Sequence, residues 1–139
     1  MIKLSKVGTI YTITMNNGEN MICLDWQRRM LEILDQLEES PVAGTAMVLV
    51  GEEKFFSNGL NLDVLRKLDG AGWTLFATQM NEIHRRMLML PFPTVAAVNG
   101  HAFAGGAFIA LSCDYRVMRE DRGWICISEV DAGVPLPQG

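Results

Sequence analysis

The spacing of hydrophobic and polar residues changes period along the chain, and each change predicts a new structural element. Residues 2–15 alternate with period two around a turn at residues 6–8, which is typical of a β-hairpin. From residue 24 to residue 37 the apolar positions recur with helical spacing, and Ser40-Pro41 is expected to end that helix. Residues 45–50 form a continuous apolar run of strand length, which predicts a strand buried on both faces of a sheet.

The second half of the chain continues this order of strand, loop and helix. Its predicted elements are a loop leading into a short helix at residues 51–62, a helix at 71–90, a buried strand at 94–98, a glycine-bearing loop at 99–106, a helix at 107–112, and strands at 115–118 and 124–127. Strands that alternate with helices predict an α/β domain with parallel strands and right-handed crossovers.

Composition narrows the class of protein. A chain of 139 residues with 49% hydrophobic and 20% charged residues is one globular domain rather than a disordered chain. A net charge of −4 without a cluster of basic residues argues against a nucleic-acid partner. No apolar run has the roughly 18 residues of a membrane span, and the alternating N-terminus lacks the apolar core of a signal peptide, so we expect an intracellular protein.

Cysteine and histidine usage predicts no metal site. The three cysteines, Cys23, Cys113 and Cys126, are far apart in sequence and odd in number, which is typical of free thiols in a reducing compartment. Neither of the two histidines stands in a local cluster of ligands. His84 lies in a polar stretch of a predicted helix and is expected on its solvated surface.

Two predicted buried strands each run into a glycine-bearing turn that leads to a helix. The first turn is Ser57-Asn58-Gly59-Leu60 and the second is Ala104-Gly105-Gly106. Ligands collect at the carboxyl ends of strands in α/β sheets, and free backbone N–H groups there favour a negatively charged oxygen. Together the two turns can form a two-donor oxyanion hole, although a purely structural role for the glycines stays open. The second turn matches no nucleotide-binding glycine motif.

Other side chains are weaker candidates for chemistry. Ser57, His101 and Asp114 have the residue types of a catalytic triad, but no G-x-S-x-G elbow surrounds Ser57, so we do not expect one. Glu129 follows the apolar run at residues 124–127. At the end of a buried strand, desolvation would raise its pKa toward that of a general base; a carboxylate stabilised at a helix N-terminus is the alternative.

Three blocks of sequence, residues 55–62, 98–106 and 112–115, resemble the crotonase (enoyl-CoA hydratase/isomerase) superfamily in composition, order and spacing. The likeness extends over essentially the whole chain. Residues 99–102, 110–112, 118–123 and 128–131 are most similar to monofunctional delta-3,delta-2-enoyl-CoA isomerases, especially the peroxisomal type of plants. The resemblance implies a crotonase fold of repeated ββα units. Because the family pattern continues beyond residue 139, we expect a truncated chain that lacks the C-terminal helices.

The resemblance also assigns roles to individual residues. It places the two oxyanion donors on the backbone N–H groups of Leu60 and Gly105. Hydratases of the superfamily use two glutamates; the first position is occupied here by Phe108, and the second by Glu129. One carboxylate and a drier pocket favour the movement of a double bond over the addition of water. Asn61 stands where many members carry Asp, which is expected to alter a local structural contact.

The ligand implied is an acyl-CoA thioester, with coenzyme A as part of the substrate and no separate cofactor. Residues expected to line its site are Met21, Ile22, Leu24, Ser57, Asn58, Gly59, Leu60, Leu62, Ala104, Gly105 and Phe108. The family also implies a homo-oligomer, a trimer or hexamer, located in the cytoplasm of a bacterium or in a eukaryotic peroxisome or mitochondrion. Another crotonase reaction, such as hydration, and a non-catalytic acyl-CoA-binding fragment remain the alternatives.

Overall fold

A computed structural model describes residues 2–39 and 41–128. Its strands are β1 (Ile2–Val7), β2 (Ile10–Met15), β3 (Ala46–Gly51), β4 (Phe55–Ser57), β5 (Thr94–Val98), β6 (His101–Phe103), β7 (Tyr115–Met118) and β8 (Ile125–Cys126). Its helices are α1 (Leu24–Glu39), α2 (Leu62–Leu65), α3 (Gly70–Met89) and α4 (Gly105–Leu111). Within these residues, no helix combines the length and hydropathy needed to cross a bilayer.

The strands form two sheets. The larger has the order β1-β2-β3-β5-β7, and the smaller has the order β4-β6-β8. Only β1 and β2 pair antiparallel; the other pairs in both sheets are parallel. In the first unit β1 and β2 both join the large sheet before α1 begins; in the units that start with β3 and β5, the first strand joins the large sheet and the second joins the small sheet before the next helix begins. The predicted α/β fold of repeated ββα units is therefore confirmed.

Two strands were missed by the sequence analysis. β4 and β6 fall inside segments 51–62 and 99–106, which the pattern predicts as loops. Three residues are too few to show a period of two, and these strands exist because each pairs with a partner distant in sequence. The hairpin turn also differs slightly, since Val7 still belongs to β1 and Gly8, with φ of 59°, begins the turn.

The large sheet buries one face of its central strands. Ile13, Leu49 and Ala96 lie side by side in register on neighbouring strands and are all fully buried, together with the apolar stripes of α1 and α3. On the opposite face Val48 and Val95 are half-buried, and Tyr115 beside them is exposed. The prediction of burial on both faces is therefore wrong, because α1 and α3 share their core with one face alone.

The segment before Glu129 also departs from its prediction. Of the apolar run at residues 124–127, only Ile125 and Cys126 form a strand, and Trp124 is 71% exposed. Among the described residues β8 pairs with β6 alone at the edge of the small sheet, and Ile125 is 41% exposed, so β8 is not the buried strand that the sequence predicts.

The two long helices are joined by an ion-pair cluster. Arg86 of α3 makes a bidentate interaction with Glu38 of α1 at 2.9 and 2.8 Å, and its Nη2 also lies 2.8 Å from Asp35. The Arg86 side chain is only 10% exposed, while both carboxylates are accessible to solvent. These contacts fix the angle at which α1 and α3 cover the sheet.

Candidate functional site

The two glycine-bearing turns lie directly against each other. A Cβ built on Gly59 would stand 2.8 Å from the carbonyl oxygen of Phe103 and 2.9 Å from the Cβ of Ala104, so only glycine allows this approach. A Cβ built on Gly105 would be 3.1 Å from a methyl group of Leu60. With φ of 82°, Gly59 also has a backbone conformation that other residues rarely adopt. The structure thus brings together the two turns that the sequence predicted to act jointly.

The backbone N–H groups of Leu60 and Gly105 are the candidate oxyanion donors. No hydrogen bond within residues 2–39 and 41–128 has either group as its donor, whereas the flanking amides are engaged. Asn61 N–H donates to the Ile22 carbonyl, and Ala104 N–H donates to the Cys126 carbonyl, each at 2.9 Å. Two adjacent turns, each with an unused donor, can bind one anionic or strongly polarised oxygen.

A buried network supports the first turn. Asn20 is fully buried with φ of 52°, and its Nδ2 donates to the carbonyls of Phe55 and Phe56 at 3.1 and 3.2 Å. Ser57 Oγ donates to the Asn20 carbonyl at 2.7 Å and accepts from Gly59 N–H at 3.2 Å. Nothing in the local sequence shows that the Asn20 amide reaches β4.

The second turn is strained. Ala104, which precedes α4, has φ of 50° and ψ of −124°, a combination that favours glycine. Strain of this kind persists where the surrounding structure fixes the backbone, and it is frequent at functional sites. The contact with Gly59 on one side and the bond to Cys126 on the other hold Ala104 in place.

A cavity of about 840 Å³ opens between α3 and α4, one helical turn beyond Gly105. Its apolar lining comes from Leu88, Met89, Phe108 and Leu111. His84 and Ser112 also line it, and the His84 ring lies edge-on to Phe108 with the centroids 6.4 Å apart. Phe108 therefore contributes to the wall of a largely apolar cavity.

His84 is not the solvated surface residue that the sequence predicts. Its Nδ1 lies 2.8 Å from Ser112 Oγ, and burial lowers its pKa from 6.5 to about 4, so the ring is neutral at pH 7. Ser112 Oγ donates to the Phe108 carbonyl at 2.9 Å. Because a hydroxyl has one proton, this arrangement puts the imidazole proton on Nδ1 and leaves Nε2 as a buried acceptor without a partner in the described residues. A polar stretch of sequence gave no sign that α4 would cover this position.

The other residues predicted to line the acyl-CoA site lie in different local environments. Ile22 is fully buried, pairs with Leu60 and lies beside Gly105, while Met21 and Leu24 flank it half-buried. Asn58 is tied to the Glu19 carboxylate at 2.7 Å, and Leu62 is 49% exposed. Glu129, the predicted base, lies outside the described residues.

Two further expectations concern polar side chains. Ser57, His101 and Asp114 do not form a triad: the Ser57 hydroxyl is bonded to the Asn20 carbonyl and to Gly59 N–H, and Asp114 accepts two hydrogen bonds from Thr94 at 2.8 and 2.9 Å. Asn61 caps α2, since its Oδ1 accepts from Val64 N–H at 3.2 Å. A local structural role is what the sequence predicted for Asn61.

Comparison with known proteins agrees with this architecture. Residues 5–137 match the sequence profile of the family described as enoyl-CoA hydratase/isomerase. Enoyl-CoA delta isomerase 3 of Arabidopsis thaliana is 37% identical over 99% of this chain, and the peroxisomal enoyl-CoA delta isomerase 2 of the same plant is 36% identical over 99%. The matched regions are 59% and 60% of those proteins, so the chain spans about three fifths of their length.

A solved structure gives the same result. The enoyl-CoA hydratase of Bacillus anthracis superposes with a TM-score of 0.79 at 25% identity, covering 87% of this chain and 48% of that one. The profile match, the two isomerase relatives and the shared architecture lead to one conclusion: the chain belongs to the enoyl-CoA hydratase/isomerase family.

Proposed function

We propose that this chain isomerises a 3-enoyl-CoA to the trans-2-enoyl-CoA and that the thioester oxygen binds between the N–H groups of Leu60 and Gly105. The observation that carries the proposal is the direct contact of two turns whose Leu60 and Gly105 N–H groups have no acceptor among the described residues. Donors fixed in advance stabilise an enolate oxygen without reorganising during the reaction, and one such donor typically contributes roughly 3–4 kcal/mol.

The reaction needs one proton carrier. Glu129 as a carboxylate removes a proton from C2, and the C–H electron pair moves toward the thioester, which becomes a dienolate with its charge on the oxygen. The protonated Glu129 then returns a proton to C4, so the C3–C4 double bond becomes a C2–C3 double bond. Nothing is added to or lost from the substrate. The role of Glu129 comes from the resemblance to the family.

Isomerisation is favoured over hydration by the largely apolar lining of the cavity between α3 and α4. Phe108 occupies the position at which hydratases of the superfamily carry a glutamate, and it lines this cavity. His84 in its wall is neutral and bonded to Ser112, and the two charged lining residues, Glu82 and Arg85, pair with each other at 2.7 Å. The similarity to two plant isomerases supports the same reaction.

Incubation of the protein with a 3-enoyl-CoA in heavy water tests the proposal. We expect a product of isomer mass that carries deuterium at C2 or C4. A product heavier by one water would identify a hydratase, and recovered substrate together with measurable acyl-CoA binding would identify a non-catalytic binding fragment.

The Glu129→Gln variant tests the base. It should abolish turnover and keep acyl-CoA binding nearly unchanged, because the amide cannot accept the proton but has the same shape. Glu39→Gln, at the exposed end of α1, is the matched control and should behave as the wild type. Full activity in the Glu129 variant would contradict the assigned role.

A further inference from the structure

We infer that Ser57 is a positioning residue that sets the distance between the two oxyanion donors; this inference rests on the proposed function. Ser57 is 1% exposed and contacts both turns of the site. It connects the Gly59–Leu60 turn to the start of α4. Because its hydroxyl is already bonded and buried, we expect it to act through the donors instead of lining the substrate site as the resemblance implies.

Ser57 is connected to the first turn by a chain of hydrogen bonds. Gly59 N–H donates to Ser57 Oγ, and the hydroxyl proton is donated to the Asn20 carbonyl at 2.7 Å. Asn20 is itself fixed, because its side chain binds the carbonyls of Phe55 and Phe56 and accepts from Asn17 N–H at 2.8 Å. The peptide that precedes Leu60 is therefore held on a buried, fully bonded support.

Ser57 is connected to the start of α4 by a van der Waals contact. A Cβ built on Gly106 would lie 2.5, 2.6 and 2.8 Å from the carbonyl oxygen, Cβ and Oγ of Ser57, so the start of α4 rests on this serine without space between them. Ser57 also pairs with Ala102 in the β4–β6 ladder. One small residue thus fixes the position of Gly105 relative to Leu60.

Loss of the Ser57 hydroxyl should weaken the stabilisation of the transition state more than it weakens substrate binding. The donors bind the enolate oxygen more tightly than the neutral thioester, so poor alignment lowers kcat while KM changes little. Removal of one donor outright lowers kcat by roughly 100- to 1,000-fold in comparable sites. Misalignment should have a smaller effect, and we expect a decrease in kcat of about tenfold to 100-fold for Ser57→Ala.

Thr45→Val is a matched control. Thr45 is also buried, and its hydroxyl also joins two backbone groups, since it donates to the Val42 carbonyl at 2.7 Å and accepts from Val42 N–H at 3.1 Å. Thr45 precedes β3 at the amino end of that strand, whereas the two candidate turns follow the carboxyl ends of β4 and β6. A general loss of stability should affect both variants, whereas misalignment of the donors should affect Ser57→Ala alone.

The test combines kinetics with the infrared carbonyl band of a bound enoyl-CoA, because that band moves to lower frequency when donors polarise the thioester. Wild type and Thr45→Val should show the full shift, and Ser57→Ala should show a reduced shift, a lower kcat and a KM within about threefold of the wild type. If Ser57→Ala does not fold, Gly106→Ala replaces it, since its methyl group pushes α4 away from Ser57, and the same changes are expected.

The outcomes separate the two proposals. An active wild type together with a folded Ser57→Ala variant of unchanged kcat and band position would overturn the inference and leave the proposed function standing. A wild type that neither reacts nor polarises the thioester would overturn the proposed function, and the inference with it.

Discussion

Acidification is predicted to destabilise this protein through His84. The ordinary pKa of the group is 6.5, and burial lowers it to about 4 in the folded chain. Between these two values the unfolded chain binds a proton that the folded chain does not bind. The free energy of unfolding therefore falls as the pH is lowered from about 6.5 to about 4, and this contribution levels off at lower pH.

The size of the effect follows from the two pKa values. One pKa unit corresponds to about 1.4 kcal/mol, so the complete loss through His84 is about 3 kcal/mol. Most of it develops by pH 5, where about 2 kcal/mol is expected. Since folded domains are stable by roughly 5–15 kcal/mol, a loss of this size is a measurable fraction of the total.

Urea unfolding at several pH values between 7 and 4.5 measures the effect. The variant His84→Asn keeps a donor near the position of Nδ1 for Ser112 but cannot titrate, so subtraction of its curve removes the contribution of the carboxylates. His101→Asn, which alters the other histidine of the chain, is the matched control and should keep the His84 dependence. A difference between wild type and His84→Asn that stays constant with pH would refute the reasoning, because it would mean that His84 titrates equally in the folded and unfolded chains.

Three further results are expected from other parts of the molecule. In urea unfolding, Glu38→Gln should lower the free energy of unfolding by about 1 kcal/mol, and Asp35→Asn should lower it less. The reason is that Glu38 binds the nearly buried Arg86 guanidinium with both oxygens, while Asp35 makes a single contact. Equal losses in the two variants would contradict this. Burial raises the pKa of the Cys113 thiol to about 12, so at pH 8 only about one thiol in ten thousand is ionised. Peptide mass mapping of the folded protein after treatment with iodoacetamide should find Cys113 unmodified, while the two partly exposed cysteines react. Gly59→Ala should lower the free energy of unfolding by about 1–2 kcal/mol through the positive φ of this residue alone. It should reduce turnover more strongly than stability, because the added methyl group separates the two turns. A Gly59→Ala variant with the kinetics of the wild type would show that the turns need not touch.

The periodic pattern of apolar and polar residues determined most of the fold. The helix at 71–90 was predicted within one residue of each end of α3, and the strands at 94–98 and 115–118 agree with β5 and β7. These elements are long or strongly apolar, so their period is visible locally, and prolines and glycines mark their ends. The two glycine-bearing turns were also found from sequence, because a turn after a buried strand has a recognisable composition.

Tertiary structure alone decided the features that depend on partners distant in the chain. β4 and β6 exist through their pairing, Asn20 reaches carbonyls 35 and 36 residues away, and His84 is covered by a helix 28 residues further on. A residue's neighbours in sequence do not reveal whether another element will remove it from water, and that removal determines both the pKa of His84 and the support of the donor turn. The sequence thus determined which groups can carry the chemistry, and the packing of β4, β6 and α4 decided how those groups face one another.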